Sequence, residues 1–150
     1  MEKTRNRLVD TPIGRMLLSV RGDALVSARF GGEAASDEDE VLDLAQRELR
    51  EYFAGEHRAF TVPLRPEGTP FQMRVWEALL RIEYGQTASY LQIAEALGNR
   101  KLCRAVGMAN HRNPLPVFVP CHRVIGADGS LTGYAGGLEA KRLLLELERG

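Results

Sequence analysis

A short segment near the middle of the chain, Arg65-Pro66-Glu67-Gly68, has the composition of a linker and separates two regions of different periodicity. Before it, apolar residues mostly alternate along short runs, as they do in β-strands, whereas after it they recur at helical spacing. At 150 residues the chain has room for one compact domain or for a small domain beside a larger one. We therefore predict an α/β protein of the α+β type, with an N-terminal domain at residues 1–65 and a mostly helical C-terminal domain at residues 66–150.

The N-terminal region has the pattern of a short antiparallel meander followed by a helix. The helix is predicted to begin near the acidic run at residues 37–40, where negative charge meets the positive end of the helix dipole, and to end at Gly55. Gly-containing turns separate the strands. The predicted strands are residues 8–9, 16–20 and 24–30, with one further candidate at residues 60–64.

The C-terminal region opens with two helices that carry start signals. Thr69 and Ser89 each precede a Gln by three residues, which is the capping-box pattern. We predict that the first helix ends at Gly85 and the second at Gly98, and that residues 100–109 form a third. Two short helices joined by a glycine turn, the second one basic, are typical of a helix-turn-helix that places its second helix in a DNA groove. Such pairs are also common in other α-rich domains, so this pattern alone leaves DNA binding open.

The charge of the chain is balanced overall and uneven locally. Twenty basic and twenty acidic side chains give a formal net charge of zero, which excludes a polycation that coats nucleic acid or membrane. No carboxylate side chain occurs between Glu95 and Asp128. This stretch can form an electrostatic footprint for phosphates, or a basic face that acidic residues elsewhere in the fold compensate. Its basic residues are Arg100, Lys101, Arg104, Arg112 and Arg123, together with His111 and His122.

Gly107 lies inside the third predicted helix. A glycine in a helix interior costs about 1 kcal/mol relative to alanine. Its presence therefore indicates either the close approach of another backbone or tight packing between helices.

The two cysteines, Cys103 and Cys121, are too few for a disulfide framework. The apolar run at residues 116–120, bracketed by prolines, predicts a buried extended segment that leads into Cys121-His122-Arg123. A cysteine can act as a nucleophile when a base or a positive field activates it. Adjacent side chains of an extended chain point to opposite faces, so a water or a turn has to connect Cys121 with His122. The alternative is a small buried apolar residue, which is the interpretation we prefer for Cys103.

Neither metal binding nor membrane insertion is favoured by the sequence. The Cys and His residues lack the spacing that would present two metal ligands from one turn. The chain has no run of about eighteen apolar residues and no secretory leader pattern at its start. We therefore predict a cytoplasmic protein that uses no metal and no other cofactor.

An ordered set of motifs resembles the signature of the methylated-DNA-protein-cysteine methyltransferases, also called O6-alkylguanine-DNA alkyltransferases, which repair alkylated guanine. The motifs are PFQMRVW, SYLQIAEALG, RAVGMANHRNP, VPCHRVIG, GYAGG and LEAKRLLLELE. The resemblance is dense over residues 69–149 and covers the N-terminal region only in outline. It implies a ribonuclease-H-like N-terminal domain. Some members carry zinc in that domain, but no cysteine precedes Cys103 here, so a zinc site is not expected.

The resemblance also implies a set of catalytic residues. Cys121 would accept the alkyl group, His122 would act through a water as its base, and Glu148 would hold that histidine in the required tautomer. Asn113 would brace the turn that carries the cysteine. Tyr90 would crowd the phosphate beside the damaged nucleotide and offer its hydroxyl to the guanine.

A second set of residues is implied for binding DNA and the damaged base. Arg104, on the recognition helix, would fill the gap left in the base stack, and the backbone around Cys121 and Val124 would read the guanine edge. Tyr134 and the loop at residues 135–137 would wall the pocket, with a backbone N–H near Ala135 as a donor. The expected DNA- or substrate-binding residues are Tyr90, Arg104, Gly107, Arg123, Val124, Tyr134 and Ala135.

Alkyl transfer to a cysteine sets physical conditions on such a protein. The alkyl carbon on guanine O6 faces the inside of the duplex, so the nucleotide has to swing out at a cost of a few kcal/mol. The thioether product is not readily cleaved, so each molecule acts once. The expected partner is double-stranded DNA containing alkylated guanine, bound by a protein that is a monomer in solution and that can assemble side by side on DNA.

Three other functions remain open on the sequence. A lesion-binding module would flip the base without transfer, and the presence of Cys121 disfavours it. A transcription regulator would ordinarily bind as a symmetric dimer, for which we find no dimerisation segment. A hydrolase with a Cys-His pair would need an oxyanion hole and would turn over many times.

Overall fold

The computed structural model describes residues 3–56 and 59–150. These residues divide into two compact units, one that ends at Glu67 and one that begins at Gly68. The first unit holds an antiparallel sheet with one long helix, and the second is mostly helical. The predicted α+β class is confirmed.

Three strands of the first unit form an antiparallel meander. The strands are β1 (Thr4–Thr11), β2 (Gly14–Arg21) and β3 (Ala24–Phe30), with β2 in the centre. Alternate residues of β2 have fully buried side chains, as expected for one face of a strand. In the turn between β2 and β3, Gly22 has a φ of 64°, which glycine adopts without steric cost. The fully buried residues on this face are Met16, Leu18 and Val20.

Helix α1 (Glu40–Phe53) packs against the sheet and begins at a well-formed cap. The Asp39 carboxylate accepts hydrogen bonds from the backbone N–H groups of Val41 and Leu42, and it also accepts one from Nε of Arg5 at 2.8 Å. Burial acts to raise the pKa of Asp39, but these hydrogen bonds and the charge of Arg5 outweigh it and lower the pKa. Helix α1 therefore begins within the predicted acidic run.

Asp39→Ala is expected to lower the free energy of unfolding by about 1 kcal/mol, because two N–H groups lose their acceptor. Asp39→Ser keeps a cap acceptor and loses the ion pair with Arg5, so it should recover most of that loss. Denaturant unfolding followed by circular dichroism measures both variants. Equal losses in the two variants would show that the ion pair, and not the cap, carries the effect.

The prediction of a strand at residues 60–64 is wrong. Of the described residues in this segment, only Leu64 pairs with the sheet, through an isolated parallel bridge to Leu25. The backbone N–H groups of Thr61 and Val62 each donate to the buried carboxylate of Glu48 at 2.9 Å. The Glu48 carboxylate on α1 therefore binds the backbone N–H groups that a strand would have used to pair with a neighbouring strand.

The second unit begins with α2 (Pro70–Leu79), whose predicted capping box is complete. The Thr69 side chain accepts from the backbone N–H of Gln72, and the Gln72 side chain accepts from the backbone N–H of Thr69. The helix ends well before Gly85, where we predicted its end. The N–H of Ile82 donates to the carbonyl three residues back, so the chain tightens into turns after the last α-helical residue.

The predicted helix-turn-helix pair is present. It consists of α3 (Tyr90–Ala96), a 3₁₀ turn (Arg100–Leu102) and α4 (Cys103–His111), and α4 packs against both α2 and α3. Gly98 joins the two helices with a φ of 95°, in the left-handed region that favours glycine. The third predicted helix is α-helical only from Cys103 onward. Its first predicted turn is the 3₁₀ turn, where the side chain of Asn99 accepts from the backbone N–H of Lys101 at 2.9 Å.

A short parallel pair and a final helix complete the second unit. Strand β4 (Ala88–Ser89) pairs with β5 (Val124–Ile125), which places the segment after Cys121 beside the start of α3. Helix α5 (Leu138–Arg149) follows. Its buried residues are Ala140, Lys141, Leu144, Leu145 and Glu148.

Candidate active site

The segment that leads to Cys121 is buried, as predicted, but it is not extended. Val117 has a φ of 74°, which a β-branched residue rarely adopts, and the N–H of Val119 donates to the carbonyl of Leu115 at 2.8 Å. The chain therefore folds back on itself before a 3₁₀ turn, Cys121–Arg123. This turn supplies the change of direction that an extended segment lacks.

Asn113 clamps this folded segment from both sides. Its Nδ2 donates to the carbonyl of Val119 at 2.8 Å, and its Oδ1 accepts from the N–H of Leu115 at 2.9 Å. The Val119 carbonyl also accepts from the N–H of Cys121 at 2.7 Å. One amide side chain thus holds the backbone on which the cysteine is placed.

Cys121 is only 5 % exposed. Burial raises its pKa to about 11, although a hydrogen bond with Asn113, the charge of Lys141 and nearby backbone N–H groups act in the opposite direction. The resting thiol is therefore neutral at pH 7. A base has to take its proton before the sulfur can act as a strong nucleophile.

His122 is completely buried and contacts a carboxylate. Its Nε2 lies 2.7 Å from Oε2 of Glu148, whereas its Nδ1 has no hydrogen-bond partner among the described residues. Burial lowers the pKa of His122, and the charges of Arg123 and Lys141 act in the same direction, while Glu148 raises it. The ring is therefore neutral near pH 7 and can accept a proton.

Arg123, which we expected to contact DNA, is buried and paired within the protein, and the DNA contact stays a prediction. Its guanidinium is buried, donating from Nε to Glu148 at 2.7 Å and from Nη1 to the carbonyl of Ile82 at 2.6 Å, and it lies 5.8 Å from the centre of the Tyr84 ring. This pairing arises because α5 brings a carboxylate to a stretch of sequence that has none. Arg123 belongs to the interior of the site.

The other basic side chains of this stretch are exposed on and around α4. They are Arg100, Lys101, Arg104, His111 and Arg112.

Gly107 also lies on α4. A Cβ built at Gly107 would meet only ring carbons of Tyr90, at 3.8 Å, which is an ordinary van der Waals distance. Packing within the protein therefore does not require glycine at this position. Exposed Met108 lies on the same helix.

Two tyrosines, Tyr90 and Tyr134, are among the expected site residues. The hydroxyl of Tyr90 shares a hydrogen bond with the hydroxyl of Thr132. Tyr134 is buried, its ring meets the His122 ring edge to face with centroids 6.5 Å apart, and burial raises its pKa well above the usual value. The loop residue Ala135 is exposed.

The backbone that we expect to read the guanine is already hydrogen-bonded within the protein. The N–H of Val124 donates to the carbonyl of Cys121, and the carbonyl of Val124 accepts from Nζ of Lys141 at 2.6 Å. The N–H of Cys121 is also engaged. The carbonyl of Cys121 accepts a second hydrogen bond, from Nδ2 of Asn110 at 3.4 Å, so both of its acceptor positions are occupied.

Sequence reasoning missed two polar side chains of the site. Lys141 is fully buried, its Nζ donates to two backbone carbonyls, and burial lowers its pKa. Asn110, on α4, donates to the carbonyl of Cys121 at 3.4 Å, and its buried Oδ1 has no partner among the described residues. Lys141 lies two helical turns before Glu148 on the apolar face of α5, a spacing that could have indicated Lys141.

Neither a metal cluster nor a membrane span occurs in the part of the chain that the structure describes. No group of three or more His, Cys, Asp or Glu side chains in residues 3–56 and 59–150 could hold a metal ion. No helix in the same residues has the length and apolarity that crossing a bilayer requires.

Comparisons with known protein families cover both units. Residues 4–66 match the family model described as 6-O-methylguanine DNA methyltransferase, ribonuclease-like domain. Residues 70–150 match the model described as 6-O-methylguanine DNA methyltransferase, DNA binding domain. The two matches leave few residues of the chain uncovered.

Individual relatives match over nearly the whole chain. The methylated-DNA--protein-cysteine methyltransferase of Methanosarcina acetivorans is 47% identical, over 94% of this chain and 96% of its own length. The constitutive protein of the same name from Bacillus subtilis is 46% identical, over 93% of this chain and 92% of its own.

Solved structures of a Mycobacterium tuberculosis protein have the same fold. The crystal structure of its O6-methylguanine methyltransferase superposes with a TM-score of 0.89 at 45% identity, covering 98% of this chain and 93% of that one. A crystal structure described as M. tuberculosis OGT in complex with DNA superposes with a TM-score of 0.88 at 45% identity, covering 97% and 93%.

Proposed function

Because this chain belongs to the 6-O-methylguanine DNA methyltransferase family, we propose that it repairs DNA by moving an alkyl group from guanine O6 to its own Cys121. The observation that carries the proposal is a buried, neutral thiol followed at once by a neutral histidine. That histidine, His122, has an unpartnered Nδ1 and a carboxylate, Glu148, at its other nitrogen. This arrangement can move a proton and create a thiolate out of contact with bulk water.

The transfer is a displacement at carbon. The thiol proton of Cys121 passes to Nδ1 of His122 through a bridging water, and the sulfur attacks the alkyl carbon in line. The C–O bond breaks, and guanine leaves with its electron pair. A proton from the Tyr90 hydroxyl neutralises the guanine, and the protonated histidine restores that proton through solvent. The product is a thioether, so each molecule repairs one lesion.

DNA is the partner of the second unit. We propose that the exposed basic residues around α4 contact phosphates, while Arg104 fills the gap that the extruded guanine leaves. With about three phosphates contacted, log affinity should fall with log salt at a slope of roughly −3. A free thiol has to stay reduced to react, which supports the proposed location in the cytoplasm. We also propose that the protein is a monomer in solution and acts on DNA that contains alkylated guanine.

A duplex with a single O6-methylguanine is the direct test. Incubation is expected to add one methyl group to the peptide that contains Cys121, with a plateau at one equivalent per protein molecule. Mass spectrometry of the intact chain and of its peptides measures both. Turnover beyond one equivalent would favour a Cys-His hydrolase, and binding without modification would favour a lesion-binding module.

Arg104→Ala is expected to slow repair in duplex DNA by about tenfold, equivalent to about 1.4 kcal/mol, and to leave transfer from free O6-benzylguanine nearly unchanged. Only the duplex has a gap to fill, and leaving it empty forfeits part of the stacking energy. Single-turnover rate constants on the two substrates measure the difference. Equal losses on both would contradict a stack-filling role.

Gly107→Ala is expected to separate stability from DNA binding. Alanine should raise the free energy of unfolding by up to about 1 kcal/mol, because the new methyl group makes only ordinary contacts with Tyr90. The same methyl group should weaken DNA binding, since we propose that the duplex approaches α4 closely there. Denaturant unfolding and fluorescence anisotropy with a labelled duplex measure the two effects. Unchanged DNA affinity would remove Gly107 from the proposed interface.

A further inference from the structure

The carboxylate of Glu148 accepts hydrogen bonds from Arg123 and Gly85 and contacts His122 inside the protein. Its Oε1 accepts from Nε of Arg123 at 2.7 Å and from the N–H of Gly85 at 3.3 Å. Its Oε2 accepts from Nη2 of Arg123 at 3.0 Å and lies 2.7 Å from Nε2 of His122. A carboxylate paired with a guanidinium has only acceptor atoms, so the nitrogen of His122 that faces Glu148 has to carry hydrogen.

We infer that Arg123 is a positioning residue for alkyl transfer. It binds Glu148 through two parallel hydrogen bonds and so locks His122 as the Nε2–H tautomer, with Nδ1 as the base. This inference rests on the proposed function, and it gives Arg123 a role different from the DNA contact expected from the sequence. The guanidinium acts through Glu148 and His122 and touches no reacting atom.

The surroundings of Arg123 fix its orientation. The carbonyl of Ile82 accepts from Nη1 at 2.6 Å, the Tyr84 ring lies beside the guanidinium, and the side chain is almost excluded from solvent. A planar fork held in this way presents two donors to one carboxylate in a fixed geometry. A lysine ammonium would keep the charge but could not reproduce the paired contact.

The charge of Arg123 also affects how readily His122 is protonated. By itself, the Glu148 carboxylate favours the imidazolium form, which cannot accept the thiol proton. Arg123 neutralises that carboxylate, and burial lowers the pKa of the ring further. The groups that face His122 are Glu148 and Lys141 from α5, Arg123 and Cys121 from its own turn, and Tyr134 from the loop before α5.

Two substitutions separate the charge of Arg123 from its geometry. With free O6-benzylguanine as substrate, Arg123→Lys is expected to lower the single-turnover rate constant by about tenfold and to leave the acid limb of the pH profile in place. Arg123→Gln should lower the rate constant at pH 7 further and move the acid limb to higher pH, because the uncompensated Glu148 raises the pKa of His122. Arg142→Gln, at an exposed arginine of α5, is the matched control and should change neither. Unchanged rates and profiles in both Arg123 variants would overturn the inference.

A DNA-contact role for Arg123 predicts a different result. Loss of a phosphate contact would reduce the salt slope of duplex binding by about one, as we expect for an exposed cation of α4, and would spare the free base as substrate. We expect the slope to be unchanged in Arg123→Gln, which removes the charge. A reduced slope with normal transfer from the free base would replace the positioning role by DNA contact.

A measurement on the unmodified protein keeps the inference testable if the variants fail to fold. Long-range ¹H–¹⁵N correlation spectra of the imidazoles are expected to show His122 as the neutral Nε2–H tautomer at pH 7. An Nδ1–H tautomer or an imidazolium at that pH would overturn the inference. Absence of alkyl uptake by the unmodified protein would instead refute the proposed function, and the tautomer would still be measured.

Discussion

Cys121→Ser protein is expected to take up no alkyl group from a methylated duplex while it still binds that duplex. A serine hydroxyl is a far weaker nucleophile than a thiolate, and His122 is too weak a base to ionise it, so the rate should fall by at least about 10⁴-fold. Intact-mass measurement follows uptake, and fluorescence anisotropy follows binding.

Cys103→Ser is the matched control for this experiment. Cys103 is half-buried at the first residue of α4, and it has no contact with His122 or Glu148 in the described hydrogen-bond network. We therefore expect full uptake, at one equivalent. Uptake by Cys121→Ser, or its loss in Cys103→Ser alone, would move the acceptor to the other cysteine.

Glu148→Leu is expected to have the largest effect on stability. Removal of the carboxylate leaves Arg123 as a buried cation without its partner and frees the donor on Nε2 of His122, so the free energy of unfolding should fall by about 3–5 kcal/mol. The rate of alkyl transfer should fall by about 10²-fold, because the imidazole loses its orientation. Glu148→Gln keeps the shape and one acceptor oxygen, so its loss of stability should be smaller.

The single tryptophan offers a local probe for this measurement. Trp76 is buried in the same unit, and its indole N–H donates to the carbonyl of Ala109 at 2.8 Å, so its fluorescence reports unfolding of that unit. Glu146→Leu, at an exposed position on α5, is the matched control and should change stability little. Similar losses in the two leucine variants would show that the buried network does not carry the effect.

Features encoded by neighbouring residues were predictable from the sequence. Both capping boxes, at Thr69 and Ser89, join a side chain to a backbone group three residues away, and both are formed. The meander and the glycine turn of the helix-turn-helix are equally local. The segment at residues 116–120 was only half predictable, because its apolar residues indicated burial while its fold-back depends on the clamp by Asn113.

The sequence by itself determined the two kinds of architecture, the helix starts and the cysteine-histidine pair, because side chains a few residues apart specify them. Only the tertiary structure decided which charges are paired. Glu48 takes the donors of the missing strand, and α5 brings Glu148 to Arg123 and His122 across 25 and 26 residues of chain. A buried charge needs a partner wherever the chain can supply one, and sequence spacing does not reveal which distant residue arrives.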